Sequence, residues 1–97
     1  MNRRFPAGVA TGQMVTDIFE YAKENNFALP AVNVIGSSNA NAVMETAAKL
    51  NSPVIIQFSN GGAAYNAGKG LSNDGQKAAI AGAVAGAKHI HTLAEAY

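Results

Sequence analysis

Three polar side chains stand where two apolar segments of the chain end. Asn33 interrupts the first apolar run, at 29–35, and Gln57 and Ser59 follow the second with a spacing of two. Residues two apart point to the same side of a strand. Parallel sheets bind ligands at this edge, because loops and helix N-termini there present free N–H groups to anions. Asn33, Gln57 and Ser59 are therefore candidate ligand-binding residues. The alternative is that Asn33 satisfies local backbone groups and that Ser59 only starts a turn.

Motifs for nucleotide phosphates are incomplete in this sequence. The phosphate-loop pattern needs a glycine at position 63 and a Ser or Thr after Lys69, where the chain has Ala63 and Gly70. The turn after the first strand, at 36–39, lacks the glycine repeat of a dinucleotide site. An ordinary flexible loop is the better interpretation of the Gly-rich segment around Lys69.

Two histidines, His89 and His91, form an HxH pair that would chelate a metal on a strand. On a helix, a two-residue step rotates about 200°, so the imidazoles point nearly opposite ways. We therefore predict one partly buried histidine and one that faces solvent, and no joint metal site.

The first predicted element is an amphipathic helix at about 13–25. Thr11 is a plausible N-cap, and Asn25 and Asn26 end the helix because Asn tolerates the left-handed conformation. The apolar stripe recurs at helical spacing and comprises Met14, Val15, Ile18, Phe19 and Ala22.

The next segments predict a βαβ unit with parallel strands. The near-continuous apolar runs at 29–35 and 53–58 are typical of strands buried on both faces, with Pro30 at the start of the first. Between them, Ser37 or Ser38 can cap a second helix that ends near Leu50. Its apolar stripe comprises Ala40, Val43, Met44 and Ala47.

After the second strand, we predict a polar, Gly-rich loop over 59–75 and a last helix that begins at Asn73 or Asp74. Gly82 and Gly86 lie one turn apart, which favours close packing of this helix against a sheet. The side expected to be buried comprises Ile80, Ala83, Val84, Ala87 and, at its end, Ile90 or His91.

Two strands cannot by themselves bury both faces of a parallel sheet, and no third strand follows in the sequence. We therefore expect these residues to be the opening portion of a larger α/β domain, or a chain whose sheet is completed by partner chains.

Composition excludes several classes of protein. The chain has 97 residues, 7 basic against 6 acidic residues, a net charge of +1 and no cysteine. It therefore lacks the basic field that nucleic-acid binding needs, and it lacks disulfides. Arg3 and Arg4 precede an apolar stretch too short for a signal peptide, and the longest apolar tract, 78–87, is too short to span a bilayer. We expect a soluble, cytoplasmic protein without a membrane partner.

Nearly the whole chain resembles the N-terminal region of class II fructose-bisphosphate aldolases, particularly the class IIA type. The resemblance rests on AKENNFALPAVNVIG at 22–36, on ETAAKLNSPVIIQFSNGGAAYNAGKG at 45–70, and on AGAVAGAKHIHTLAEAY in the last helix. It implies that residues 1–97 are the N-terminal part of a single (β/α)8 TIM-barrel domain, the barrel's opening βα units preceded by a helix at its base.

The resemblance also implies a function. The family cleaves fructose 1,6-bisphosphate reversibly into dihydroxyacetone phosphate and glyceraldehyde 3-phosphate, in glycolysis and gluconeogenesis, and it is usually homodimeric. Zinc polarises the ketone carbonyl as a Lewis acid. Ser59 matches the family's phosphate-binding serine, Asn33 matches an asparagine that positions the substrate, and Gln57 lies beside them.

A barrel of this type needs about 250 residues. The resemblance implies that the catalytic Asp and the zinc ligands lie beyond Tyr97, so this chain supplies no catalytic residue and no metal ligand. The competing interpretation is a noncatalytic α/β module that self-associates through its exposed strand edges.

Overall fold

The computed structural model describes residues 5–97; Arg3 and Arg4, which bear on the signal-peptide prediction, lie outside the described residues. The elements alternate as the sequence predicts, with one additional helix. In chain order they are α1 (Gln13–Glu24), β1 (Ala31–Asn33), α2 (Ser37–Leu50), β2 (Ile55–Gln57), α3 (Asn60–Ala67), a 3-10 turn (Asp74–Gln76) and α4 (Lys77–Ala94).

The two strands form a parallel pair, which confirms the predicted βαβ unit. The ladder extends one bond beyond each end, because Ile55 N donates to Pro30 O and Val34 N donates to Gln57 O, each at 2.9 Å. Pro30 precedes β1, where its missing N–H costs the ladder nothing.

The prediction that both strands are buried on both faces is wrong for the described residues. Val32 and Ile56 are half-buried, whereas the residues of the other face are exposed. That face carries Ala31, Asn33, Ile55 and Gln57. All four are exposed within the described part of the chain, Ile55 by 39%. The two strands therefore contain more apolar residues than this part of the chain buries.

Helix α1 begins at residue 13, as predicted, but its N-cap lies one residue after the predicted Thr11. Gly12 is the N-cap, and its carbonyl oxygen accepts a bond from Val15 N at 3.1 Å. The predicted end is confirmed, because Asn26 is left-handed with a φ of 57°. Of the predicted stripe, Ala22 is buried and Phe19 is exposed, while the other members are half-buried.

Helix α2 is capped by Asn39 and not by Ser37 or Ser38. Asn39 Oδ1 accepts from Ile35 N at 3.2 Å and from Gly36 N at 3.1 Å. Ser37 and Ser38 are the first two residues of the helix, so the N-cap position falls on Gly36, which has no side chain. The predicted core stripe is confirmed at Ala40 and Met44, which are buried.

The predicted loop over 59–75 is wrong in its first half, because α3 occupies 60–67. Ser59 Oγ accepts from Gly62 N at 3.0 Å and caps this helix. Gly62 packs so tightly that an added Cβ would lie 3.3 Å from both Ile35 Cγ2 and Val34 O. Capping and packing thus override the low helix propensity of two glycines.

Helix α4 starts after a kink, and Asn73 caps it across the kink by accepting from Ala79 N at 3.0 Å. Its buried face is not the predicted one. Ile80 and Val84 are 60% and 50% exposed; Ala83, Ala87 and His91 are also exposed, and Ile90 is half-buried. The buried positions are Ala78, Ala79, Gly82 and Gly86.

The close approach predicted at Gly82 and Gly86 is confirmed, although the partners are a helix and a ring. An added Cβ on Gly82 would overlap the carbonyl oxygen of Ala63 in α3. On Gly86 it would overlap the ring of Phe58, just after β2.

The core is small and the molecule is elongated. Its radius of gyration is 14.7 Å, against about 12.5 Å for a compact domain of this length. Val34 is the largest side chain to be fully buried among the described residues. No helix within residues 5–97 is both long and apolar enough to cross a bilayer.

Candidate functional site

Asn33 and Gln57 lie side by side at the carboxyl ends of the two strands. They are register partners in the parallel ladder, so their side chains leave the same face of the sheet. Both residues are exposed. The structure therefore brings together two of the three residues that the sequence singled out, on the face left uncovered in the described chain.

Ser59 follows β2 and forms the N-cap of α3. Its hydroxyl oxygen accepts the bond from Gly62 N, and its carbonyl oxygen accepts one from Ala63 N at 2.8 Å. The interpretation that Ser59 serves the backbone is therefore confirmed, while a ligand contact stays a prediction. The two roles are compatible, because a hydroxyl that accepts one bond keeps its own hydrogen to donate.

The first turn of α3 also presents backbone donors. Helix N-termini leave N–H groups without intrahelical acceptors, and within the described residues the N–H groups of Asn60 and Gly61 have no acceptor. These two donors and the Ser59 hydroxyl lie within three consecutive residues. The segment offers hydrogen bonds to an anionic oxygen without a cationic side chain.

Gly62 sets the distance between the two loops that follow the strands. It contacts Ser59 on its own loop and Val34 and Ile35 just beyond β1. The start of α3 is thereby held against the end of β1, beside Asn33. Neither this contact nor the Asn39 cap was among the sequence predictions. The position of Asn39, three residues after Gly36, is the sequence signal for the cap.

The histidines do not form a metal centre. His89 is half-buried, and its Nε2 lies 2.8 Å from Oδ1 of Asn41 on α2. His91 is exposed, so the predicted split between one partly buried and one solvent-facing histidine is confirmed. Residues 5–97 contain no group of three His, Cys, Asp or Glu side chains arranged to hold a metal. The residues described do not fit a zinc site.

A cavity of about 620 Å³ lies beside β2. Its walls are mainly apolar side chains of α1, β2 and α4. Of the three predicted site residues, only Gln57 lines it. A large apolar cavity is usually the first candidate for a small-molecule site. This one has few polar groups to orient a phosphorylated ligand, so we place the candidate site at the strand ends.

The comparisons with known proteins agree with one another. The family model described as fructose-bisphosphate aldolase class-II matches residues 13–97. The chain is 60% identical over 91 residues to the "Fructose-bisphosphate aldolase class 2" of Escherichia coli strain K12, which covers 93% of this chain and 25% of that protein. It is also 60% identical over 90 residues to the fructose-bisphosphate aldolase of Edwardsiella ictaluri. That match covers 93% of this chain and 25% of the Edwardsiella protein.

A solved structure gives the same result. The crystal structure of fructose-bisphosphate aldolase from Campylobacter jejuni superimposes with a TM-score of 0.85 at 55% identity, over 94% of this chain and 25% of that one. The chain thus spans about a quarter of the length of the relatives that it matches. On the match to 13–97 and these identities, the chain belongs to the class II fructose-bisphosphate aldolase family.

Proposed function

We propose that residues 1–97 are the N-terminal part of a single (β/α)8 TIM-barrel domain of a class II aldolase, and that they supply part of its substrate phosphate pocket. The relatives named fructose-bisphosphate aldolase, and the quarter of their length that the chain spans, support the proposal. So does the parallel βαβ unit, which is the repeating unit of such a barrel.

The reaction that we propose for the complete enzyme is reversible cleavage of fructose 1,6-bisphosphate into dihydroxyacetone phosphate and glyceraldehyde 3-phosphate, in the glycolysis and gluconeogenesis of the cytoplasm. We propose zinc as its cofactor and a homodimer as its assembly. Since the residues described here hold no metal site, this chain's part is to bind and orient the substrate.

The observation that carries the proposal is the cluster at the strand ends. Asn33 and Gln57 are paired in register, and Ser59 begins a helix whose first N–H groups are free within the described chain. Phosphate groups bind at such helix N-termini because the donors and the helix dipole both favour negative charge. In this proposal Ser59 contacts a substrate phosphate, while Asn33 and Gln57 position the sugar.

The apolar cavity of about 620 Å³ beside β2 has a different role in this proposal. Its lining fits the packing of further polypeptide better than a doubly phosphorylated sugar. Residues of β2 and the α4 residues Ala83, Ala87 and Ile90 line this cavity together. We propose that the rest of the barrel continues the sheet there.

The test uses a grafted enzyme, in which this chain replaces the matching quarter of the Escherichia coli relative. Ser59→Gly removes the hydroxyl but costs the helix cap only a few tenths of a kcal/mol. If Ser59 contacts a phosphate, the Michaelis constant should rise by roughly ten- to a hundredfold, the equivalent of one hydrogen bond to a charged group. The melting temperature should change little.

Two further variants separate binding from capping. Ser59→Asp keeps a capping oxygen and adds a negative charge, so stability should hold while substrate affinity falls. Ser72→Ala is the matched control, because Ser72 Oγ accepts a turn bond from Asp74 N at 3.2 Å, away from the strand ends. Unaltered substrate kinetics in Ser59→Gly and Ser59→Asp would show that Ser59 serves the backbone alone.

A further inference from the structure

Asn60 and Gly61 form the one Asn-Gly pair in the sequence, and they lie at the start of α3. Both residues are exposed, and an added Cβ on Gly61 would meet nothing within 4 Å. The Asn60 side chain makes no hydrogen bond within the described residues. The Asn60 side-chain amide is therefore not held by a hydrogen bond, and the backbone nitrogen of Gly61 has no side chain beside it.

We propose that Asn60 is a spontaneous deamidation site whose reaction is gated by the first turn of α3. The Gly61 backbone nitrogen, after losing its proton to hydroxide, attacks Cγ of Asn60. A bond forms between that nitrogen and Cγ, the bond from Cγ to Nδ2 breaks, and ammonia leaves. Water then opens the five-membered succinimide at either carbonyl, which gives aspartate or isoaspartate with no redox change.

The position of the pair favours this chemistry. The Gly61 N–H is one of the helix-terminal donors without an acceptor in the described chain, so no hydrogen bond must break before it ionises. The positive end of the helix dipole stabilises the charge that develops on the nitrogen. Glycine also leaves the attacking atom without a neighbouring side chain.

The helical backbone opposes the same reaction. Ring closure needs Gly61 N to swing towards Cγ of Asn60, which the helical conformation of α3 prevents until its first turn opens. That turn is held by two bonds to Ser59, from Gly62 N at 3.0 Å and from Ala63 N at 2.8 Å. With only eight residues, α3 is too short to be stable without such contacts.

The modification would change the edge that carries the candidate site. It places a carboxylate next to Ser59, and isoaspartate also lengthens the backbone by one carbon at the start of α3. If the proposed phosphate contact holds, the new charge weakens phosphate binding. The modification itself does not depend on that function.

The experiment follows the chain within the grafted enzyme during incubation at neutral and at alkaline pH. Trypsin cuts after Lys49 and Lys69, so Asn60 appears on the peptide 50–69, while the other glycine-linked site, Asp74–Gly75, appears on 70–77. Fragment ions locate the small mass gain that results when the side-chain NH2 is replaced by OH, and isoaspartyl methyltransferase labels the isoaspartate product. We expect both signals at Asn60, rising with pH.

Variants and a reference peptide test the gate. Gly61→Ala should slow the reaction by about an order of magnitude, because its Cβ crowds the attacking nitrogen. Ser59→Ala should speed it about fivefold by removing the cap, whereas Ser59→Thr, which keeps a capping oxygen, should react at nearly the parent rate. A synthetic peptide of residues 50–69 gives the rate without the fold.

Modification at Asn60 that is slower in the chain than in the peptide, and faster after Ser59→Ala, supports the proposal. If Asn60 stays unmodified, or if another asparagine deamidates faster, the proposal that Asn60 is the deamidation site is wrong. If Asn60 deamidates as fast in the chain as in the peptide, the first turn of α3 does not slow the reaction. Equal deamidation rates in Ser59→Ala and Ser59→Thr would lead to the same conclusion. The peptide gives the deamidation rate of the unfolded segment. A variant that fails to fold is therefore recognised because its deamidation rate equals that of the peptide.

Discussion

At the residue scale, the site depends on the register of two short strands. Asn33 and Gln57 are partners only because β1 and β2 run parallel without offset. A shift of one residue would turn both amides to the opposite face of the sheet. The pairing therefore links strand register directly to the position of the polar groups that we propose for substrate binding.

Truncating the paired amides should affect substrate binding and leave stability nearly unchanged. In the grafted enzyme, Asn33→Ala and Gln57→Ala should each lower kcat/KM by roughly two- to tenfold, the equivalent of one neutral hydrogen bond. Both residues are exposed on the uncovered face, so no core packing is lost. Steady-state kinetics and melting temperatures on the two variants check this. Equal kcat/KM with a lower melting temperature would instead assign the amides a structural role.

At the element scale, two glycines let α4 approach the rest of the fold. Gly82 lies against the backbone of α3, and Asn66 Nδ2 donates to its carbonyl oxygen at 2.9 Å. Towards the other end of α4, the side chains of His89 and Asn41 on α2 are hydrogen-bonded to each other. These contacts fix α3 between β1 and α4, which in turn holds Ser59 at the strand ends.

Gly82→Ala should destabilise the fold, although alanine favours helices by about 1 kcal/mol over glycine. Its Cβ would overlap the Ala63 carbonyl oxygen and lie 3.1 Å from Ala67 N. Backbone atoms cannot move aside cheaply, so we expect a net loss of about 1–3 kcal/mol. Gly86→Ala should cost less, because the ring of Phe58 can rotate away. Denaturant unfolding of the grafted enzyme measures both losses.

Gly70→Ala is the matched control for these variants, because an added Cβ there meets nothing within 4 Å. A Gly82→Ala protein as stable as Gly70→Ala would contradict the close packing of α3 against α4.

Sequence-based predictions are correct where local residue patterns determine the structure. The βαβ unit, the left-handed Asn26 and the close approach at Gly82 follow from local rules and are confirmed. Helix α3 was missed because Gly61 and Gly62 suggest a loop. Its stability comes from the Ser59 cap and from packing that is visible only in three dimensions.

Helix α4 shows the converse error. Hydropathy assigns Ile80 and Val84 to the buried side, yet the buried face consists of alanine and glycine. Small residues are buried because they allow a closer approach, which a hydropathy pattern does not register. The substrate roles proposed for Asn33 and Ser59 rest on the family resemblance, because the spacing of these residues fits a turn equally well.

At the scale of the whole molecule, the chain buries too little surface for its length. Its accessible surface is 6421 Å², roughly 1,200 Å² more than expected of a compact monomer of 9.9 kDa. Such an excess is comparable with the area that each partner of a stable protein interface buries. This supports the view that the fold is completed by further polypeptide.

The isolated chain should accordingly self-associate or pack loosely. Ile55, Ile80 and Val84 are exposed, and each strand has an unpaired edge within the described chain. Sedimentation velocity should show oligomers, and thermal unfolding should be broad. A monodisperse monomer with a cooperative thermal transition would contradict the inference that these residues are an incomplete part of a barrel.

The most direct measurement is cleavage of fructose 1,6-bisphosphate by the grafted enzyme, beside the isolated chain as control. If the chain supplies a working part of the aldolase pocket, the grafted enzyme should turn over comparably with its Escherichia coli parent, and the isolated chain should show no turnover. A grafted enzyme that folds and melts cooperatively but does not cleave the substrate would contradict the proposal, as would cleavage by the isolated chain.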